Sequence, residues 1–233
     1  MILRDLGISV GDGARLPPEY TEQDFYRDVY HVREGFLVYL LRSFEGGHFL
    51  PEATKVDVCF GPGLNSSEYF CAFSVAQVYR SDFDFRQFVE APDDAKEVML
   101  LEQLSAGLRD VAQRQGVPAT RVDLAEADAR SSGCFLRYSI KSLGRFHPNR
   151  KFRFDVIREI ERGSESWHLQ VSDRSQRVLE TLPIDLNTYG LVAASKYRKS
   201  KWRKDTFVLT DSRGRVQFQK STKRLLARHT TDN

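Results

Sequence analysis

The strongest secondary-structure signal in the chain lies in residues 92–118, PDDAKEVMLLEQLSAGLRDVAQRQGVP. Apolar side chains recur there every three or four residues, which is the spacing of the buried stripe of an amphipathic helix. The stripe consists of Val98, Leu101, Leu104, Leu108 and Val111. Asp93 and Asp94 favour a helix start, Gly116 supplies a left-handed C-terminal cap, and Pro118 prevents continuation. The stretch therefore predicts a long helix whose apolar side needs a partner layer.

Sheet and helix signals alternate on the N-terminal side of this helix. A second helix is predicted over about residues 22–44, because Thr21 and Asp24 form a capping-box pattern before apolar residues at helical spacing. Apolar and polar residues alternate in the remaining segments, as they do in half-buried strands. The strands predicted on this side cover residues 2–10, 55–60, 68–80 and 82–86.

Strand signals dominate the C-terminal side, after a short predicted helix over residues 120–129. The predicted strands cover residues 136–140, 152–156, 167–171, 177–182, 188–194, 206–210 and 216–219. This order predicts an α+β fold: mostly antiparallel sheets, two or three helices packed on one side, and a long C-terminal strand meander. We interpret residues 1–233 as one domain. The alternative is a subdivision into a helix-containing region, residues 1–130, and a strand-rich region, residues 131–233.

Composition limits the class of protein. With 41% hydrophobic and 29% charged residues the chain has the balance of a globular protein, which argues against disorder. The longest apolar run, residues 36–41, is far too short to span a membrane, and the N-terminus lacks the apolar run of a signal peptide. Cys59, Cys71 and Cys134 are too scattered for a disulfide framework or a zinc site. These features predict a cytoplasmic protein without membrane contact.

Enzyme motifs are weak or incomplete. The G-x-S-x-G pattern at residues 7–11 lacks the following helix that a nucleophile elbow requires. Residues 147–149 match the His-Pro-Asn tripeptide of ubiquitin-conjugating enzymes, but no cysteine follows Cys134 to act as the nucleophile. Asp82 and Asp84 are predicted on one face of a strand, as in a D-x-D metal motif, although a solvated strand face explains them better. We predict a non-enzymatic protein without a cofactor or metal.

One enzymatic alternative stays open. Ser139 and Lys141 on a predicted strand, with Asp123 and Asp128 upstream, resemble the metal-dependent nucleases of the restriction-endonuclease type. In that class carboxylates hold Mg²⁺ while a lysine helps to activate water. A serine stands here at the position of the second acid, so one expected metal ligand is missing. The competing interpretation is a sheet edge whose lysine points into solvent.

Positive charge is concentrated near the C-terminus. Residues 196–228 contain twelve Lys and Arg against two Asp, a local net charge of +10, which leaves −7 for the rest of a chain of net charge +3. The densest part consists of Lys196, Tyr197, Arg198, Lys199, Lys201, Trp202, Arg203 and Lys204. These cations and rings fit an acidic protein partner, or nucleic acid through phosphate contacts and base stacking. A solvated connection anchored by Trp202 is the third interpretation.

The pattern of elements also resembles a known class. The helix over residues 96–108, the later strands with Trp167, and Lys201-Trp202 before the strand 206–210 are similar to immunity proteins of bacterial polymorphic and secreted toxin systems. The resemblance implies a cytosolic α+β inhibitor that occludes one toxin. We therefore expect a single protein partner bound at the basic segment, with Tyr197 or Trp202 as buried anchors, and a nucleic-acid-binding module as the alternative.

Overall fold

The computed structural model describes residues 3–42, 50–63, 69–162, 164–185, 196–224 and 227. The chain divides into two compact units, Met1–Phe135 and Leu136–Asn233, and this boundary lies close to the subdivision considered from the sequence. The described residues form four helices and twelve strands, and the predicted α+β class is confirmed. None of the described helices combines the length and apolar character needed to cross a lipid bilayer.

The first unit combines one sheet with all four helices. Its elements are β1 (Asp5–Val10), α1 (Glu22–Arg42), β2 (Lys55–Phe60), β3 (Tyr69–Ala72), β4 (Val75–Arg80), α2 (Phe85–Glu90), α3 (Asp93–Arg114) and α4 (Thr120–Ser132). The strand order is β1-β2-β4-β3, in which β1, β2 and β4 run parallel and β3 pairs antiparallel with β4. α3 approaches the sheet closely at Gly107, where an added Cβ would lie 3.1 Å from Val58 and 3.3 Å from Val78.

The predicted helices are confirmed, although α3 begins after Pro92 without a side-chain cap, and Asp93 and Asp94 lie in its first turn instead. α3 ends at Arg114, and Gly116, two residues further on, has a φ of +67°, the left-handed conformation expected after a helix C-terminus. Its buried stripe differs in one detail, because Val98 is 43% exposed and Leu100 is fully buried in its place. The predicted α1 also forms, and its residue Phe25 packs edge-on against Phe60 at a ring distance of 5.0 Å.

Two strand predictions in the first unit are wrong. The predicted strand 68–80 is a hairpin, because Phe73 and Ser74 turn the chain with φ angles of +51° and +64°. The predicted strand 82–86 is a turn followed by α2, and its alternation of polar and apolar residues reflects the start of a helix. Asp84 caps α2 by accepting hydrogen bonds from the backbone N–H groups of Arg86 and Gln87.

The regular elements of the second unit, among its described residues, are all strands. The strands are β5 (Leu136–Ser139), β6 (Arg145–Phe146), β7 (Phe152–Glu161), β8 (Ser164–Asp173), β9 (Val178–Asp185), β10 (Lys199–Arg203), β11 (Thr206–Thr210) and β12 (Val216–Ser221). One sheet has the order β5-β7-β8-β9, with β6 also paired to β7, and the other has the order β10-β11-β12. All of these pairs are antiparallel, which confirms the predicted meander. The predicted strand 188–194 lies outside the described residues.

The core of the second unit is aromatic and apolar. Its buried members are Leu143, Phe152, Phe154, Val156, Trp167, Leu169, Val171, Tyr197, Phe207 and Leu209. The cluster draws residues from both sheets of the unit, so the β10–β11 hairpin is held by the same core as the larger sheet. This packing fixes the position of the basic segment.

Candidate binding surface

The basic segment forms an edge strand. β10 pairs antiparallel with β11 from Lys199↔Thr210 to Arg203↔Thr206, and within the described residues it has no other strand neighbour. Successive side chains of a strand point to opposite faces, and the sequence of β10 alternates accordingly. Lys199, Lys201 and Arg203 are exposed, whereas Ser200 is buried. The alternation thus places three cations in one row.

Trp202 belongs to the core of its own unit. Its indole ring lies 4.7 Å from His147, 4.9 Å from Phe154 and 5.5 Å from Phe207, with the planes steeply inclined to one another in each pair. The indole Nε1–H donates a hydrogen bond of 2.8 Å to the carbonyl oxygen of Phe146. Since the ring packs on three aromatic neighbours and its polar atom is hydrogen-bonded, the partly buried Trp202 anchors the hairpin to its own unit.

Tyr197 is also internal. Only 4% of its surface is exposed, and its ring lies 5.0 Å from that of Trp167. The hydroxyl donates to Asp185 at 3.0 Å, and the ammonium of Lys196 forms an ion pair with the same carboxylate. Burial raises the pKa of Tyr197 well above its usual range, and the bond to Asp185 adds to this effect. These contacts assign Lys196 and Tyr197 to the anchoring of the segment.

Five cations of the segment remain exposed. They are Arg198, Lys199, Lys201, Arg203 and Lys204, which we call the basic edge. In the described part of the chain none of them forms an ion pair with a carboxylate. Two carboxylates of the second unit pair with other cations: Asp185 with Lys196, and Asp211 with Arg215 at 2.7 Å. Among the described residues, therefore, no carboxylate forms an ion pair with the basic edge.

The turn that ends the basic edge is rigid and strained. Lys204 has a φ of +51°, a left-handed conformation that glycine or asparagine adopts more readily than lysine. The following residue, Asp205, is fixed by Thr222, whose backbone N–H and hydroxyl both donate to its carbonyl oxygen at 2.8 Å. A lysine held at such a position is an outlier of the kind that concentrates at functional sites.

The lysine and the two aspartates predicted for a nuclease site lie in a turn of the second unit and on α4 of the first. Lys141 lies in a turn after β5 instead of on a strand, which corrects the prediction from sequence. Asp123 and Asp128 lie on α4 of the first unit, and Asp123 is paired with Arg109 at 2.8 Å. Among the described residues no group of three His, Cys, Asp or Glu side chains could hold a metal ion.

Ser9 belongs to a polar cluster that sequence reasoning missed. It lies within β1, and its hydroxyl donates to Asp57 at 3.0 Å and lies 2.9 Å from the Cys59 sulfur, which Gln77 also contacts. Burial raises the pKa of Cys59 to about 11, so the thiol is protonated at neutral pH and is a poor nucleophile. The sequence signal for this cluster is the alternation of residues 55–60, because it places Asp57 and Cys59 on one face of β2.

Two further polar groups have structural explanations. His147 is 5% exposed, lies in the turn before β7, and accepts at Nδ1 from the backbone N–H of Asn149 at 3.3 Å. On β8, His168 contacts both Ser166 at 2.9 Å and Glu159 at 3.2 Å through the same ring nitrogen, Nε2. A catalytic triad needs the carboxylate and the hydroxyl on opposite nitrogens, so this group is not one.

Comparison of the chain with known protein families, with curated proteins and with solved structures finds no match. The geometry and charge of the basic edge are therefore the basis on which a function is proposed.

Proposed function

We propose that this protein is a non-enzymatic binding protein whose basic edge docks onto an acidic surface of a protein partner. The observation that carries the proposal is a row of exposed cations that form no ion pair with a carboxylate among the described residues, on a hairpin that its own aromatic residues hold in place. A fixed array of like charges accelerates and orients association with a surface of opposite charge. Because the hairpin is already ordered, little conformational entropy is lost when a partner binds.

Nucleic acid is the second candidate partner, since the same cations could neutralise phosphates. Proteins that bind single strands without sequence preference usually also stack bases on exposed aromatic rings. Tyr197 and Trp202, the two rings of the segment, are engaged inside the unit. This arrangement favours an acidic protein over a single-stranded nucleic acid.

Within this class we favour an immunity-type inhibitor that occludes a bacterial toxin in the cytoplasm. The support is the similarity of the element order to immunity proteins, seen in the sequence. A basic docking surface suits an acidic toxin. On this proposal Tyr197 and Trp202 keep the basic edge in position, and the cations make the contact.

A tagged pull-down from native cells, with bound protein and bound nucleic acid both identified, tests the proposal. We expect one stoichiometric protein that remains bound at about 0.5 M salt, an ionic strength that screens purely electrostatic contacts. A quadruple variant should lose this protein: Lys199→Glu, Lys201→Glu, Arg203→Glu and Lys204→Glu.

A matched control carries the same change in net charge at four other exposed cations that have no carboxylate partner among the described residues. These substitutions are Arg4→Glu, Arg15→Glu, Arg150→Glu and Lys151→Glu. The control should retain the partner. Equal recovery of the partner with the quadruple variant, or recovery of nucleic acid alone, contradicts the proposal.

A further inference from the structure

The basic edge has a second property besides charge, because it lies along an unpaired side of a sheet. In the described part of the chain β10 is hydrogen-bonded to β11 alone, and the order β10-β11-β12 places it at the end of its sheet. The outer side of such a strand carries backbone N–H and C=O groups that can pair with another extended chain. The edge is therefore a template for strand addition.

The side chains of β10 restrict which strand could be added. Lys199, Lys201 and Arg203 lie on the same face at intervals of about 6.7 Å, the distance of two residues along a strand. Their cross-strand neighbours on β11 are Thr210, Val208 and Thr206, none of which carries a charge. An added strand on the opposite side of β10 would supply charged neighbours, which the described strand partner β11 does not.

This row of cations opposes some partners and selects others. A second copy of β10 would place like charges side by side, which destabilises a strand pair. A strand with Asp or Glu at every second position would place a carboxylate beside each cation, and opposite-charge pairs on adjacent strands are favourable. Lysines that protect an edge from self-association therefore also favour an acidic strand.

We propose that the basic edge binds an extended acidic segment of the partner, with Asp or Glu at alternate positions, as an additional strand beside β10. The inference rests on the proposed function and specifies its mode of recognition. Backbone hydrogen bonds to β10 supply affinity, and the alternating carboxylates supply specificity. A nucleic acid strand can neutralise the cations but lacks the regular N–H and C=O groups that would pair with the edge.

Synthetic peptides test this mode with the full-length protein. The first probe is a nine-residue peptide of alternating Thr and Glu, and its isomer carries the same four Glu residues in one block. Two more probes carry N-methyl groups on the backbone, one at the Glu positions and one at the Thr positions. Only alternate amides of an added strand face its neighbour, so N-methylation should interfere at one set of positions and be tolerated at the other.

Affinities are measured by calorimetry at low salt, with a DNA oligonucleotide of equal charge for comparison. We expect the alternating peptide to bind at least about tenfold more tightly than the block isomer. One of the two N-methylated peptides should bind about tenfold more weakly than the unmodified alternating peptide, since a tenfold change in affinity corresponds to the loss of one or two hydrogen bonds. Hydrogen exchange should slow at residues 199–203 when the alternating peptide binds.

The inference and the proposed function fail in different ways. Equal affinity of the alternating, block and both N-methylated peptides would overturn strand addition while leaving an acidic docking surface. Tighter binding of the oligonucleotide than of any peptide, or no binding of the alternating peptide, would also overturn the inference. The proposed function is tested separately by the pull-down. It is contradicted if the quadruple variant still recovers the partner.

Discussion

Replacing Trp202 with alanine removes the ring that holds the basic edge to the core of the second unit. The indole contacts His147, Phe154 and Phe207 at ring distances between 4.7 and 5.5 Å, and its N–H bonds the carbonyl of Phe146. The substitution therefore removes apolar contacts on three sides and one hydrogen bond, and it leaves a cavity between the two sheets of the unit.

The expected cost follows from these contacts. Truncation of a buried tryptophan to alanine costs about 3–5 kcal/mol of unfolding free energy. Trp202 is only partly buried, so we expect about 3 kcal/mol, including the lost hydrogen bond. Trp202→Phe keeps an aromatic ring in the cluster and should cost about half as much, because cores tolerate replacements of similar shape.

Urea unfolding monitored by tryptophan fluorescence measures this cost. Trp167, the other tryptophan of the chain, is buried in the same unit and remains as the reporter in both variants. Lys201→Ala is the matched control, since Lys201 is exposed and its removal should change the unfolding free energy by less than about 0.5 kcal/mol. A Trp202→Ala protein as stable as this control would show that the ring is not an anchor.

Three further outcomes are expected. Glu165→Ala should destabilise the second unit by about 3–5 kcal/mol in urea unfolding, because it removes a buried carboxylate that pairs with the buried guanidinium of Arg158 at 2.8 Å; a loss below about 1 kcal/mol would contradict this expectation. Phe73→Asn should raise the unfolding free energy of the first unit by about 1 kcal/mol, because asparagine adopts the left-handed φ of this position more readily than phenylalanine and the Phe73 ring is fully exposed. A destabilised variant would refute this expectation. Thiol titration of the native protein at pH 8 should modify Cys71 before Cys59, because burial raises the pKa of Cys59 to about 11 and the thiolate is the reactive form. Cys59 should react appreciably only as the pH approaches that value. Equal reaction rates of the two cysteines at pH 8 would argue against the burial of Cys59.

The sequence predicted the elements whose signals are local. The helix α3 follows from its apolar stripe and from Gly116, and both features act within the helix or at its end. The hairpin at Phe73 was missed because turns are usually recognised in a sequence by Gly, Asn or Pro, and none of these residues stands at its two central positions. The alternation at residues 82–86 was misread because Asp84 serves as a helix cap, and a cap and a polar strand position can carry the same residue.

The positive charge of the candidate site could be predicted from the sequence, but the burial of its aromatic side chains could not. Alternation of cations with Ser200 and Trp202 is the sequence signal for the strand β10, whereas the density of positive charge predicted a contact surface for an acidic protein, with nucleic acid or a solvated connection as the alternatives. The burial of Tyr197 could not be read from its neighbours in sequence. It depends on Trp167 and Asp185, which reach it only through the pairing of strands far along the chain. The structure packs Tyr197 inside the second unit and Trp202 partly against the core of that unit, whereas the leading sequence interpretation expected both rings as anchors in a partner contact.

The affinity of the purified partner for three forms of this protein tests the central claim most directly. The forms are the wild type, the quadruple Glu variant of the basic edge, and the control with four Glu substitutions elsewhere, each shown to be folded by circular dichroism. We predict that the quadruple variant binds at least about tenfold more weakly than the wild type, since charge reversal converts attraction into repulsion at the interface, while the control binds as the wild type does. Equal affinity of all three forms, or equal weakening of both variants, would show that the basic edge is not the docking surface.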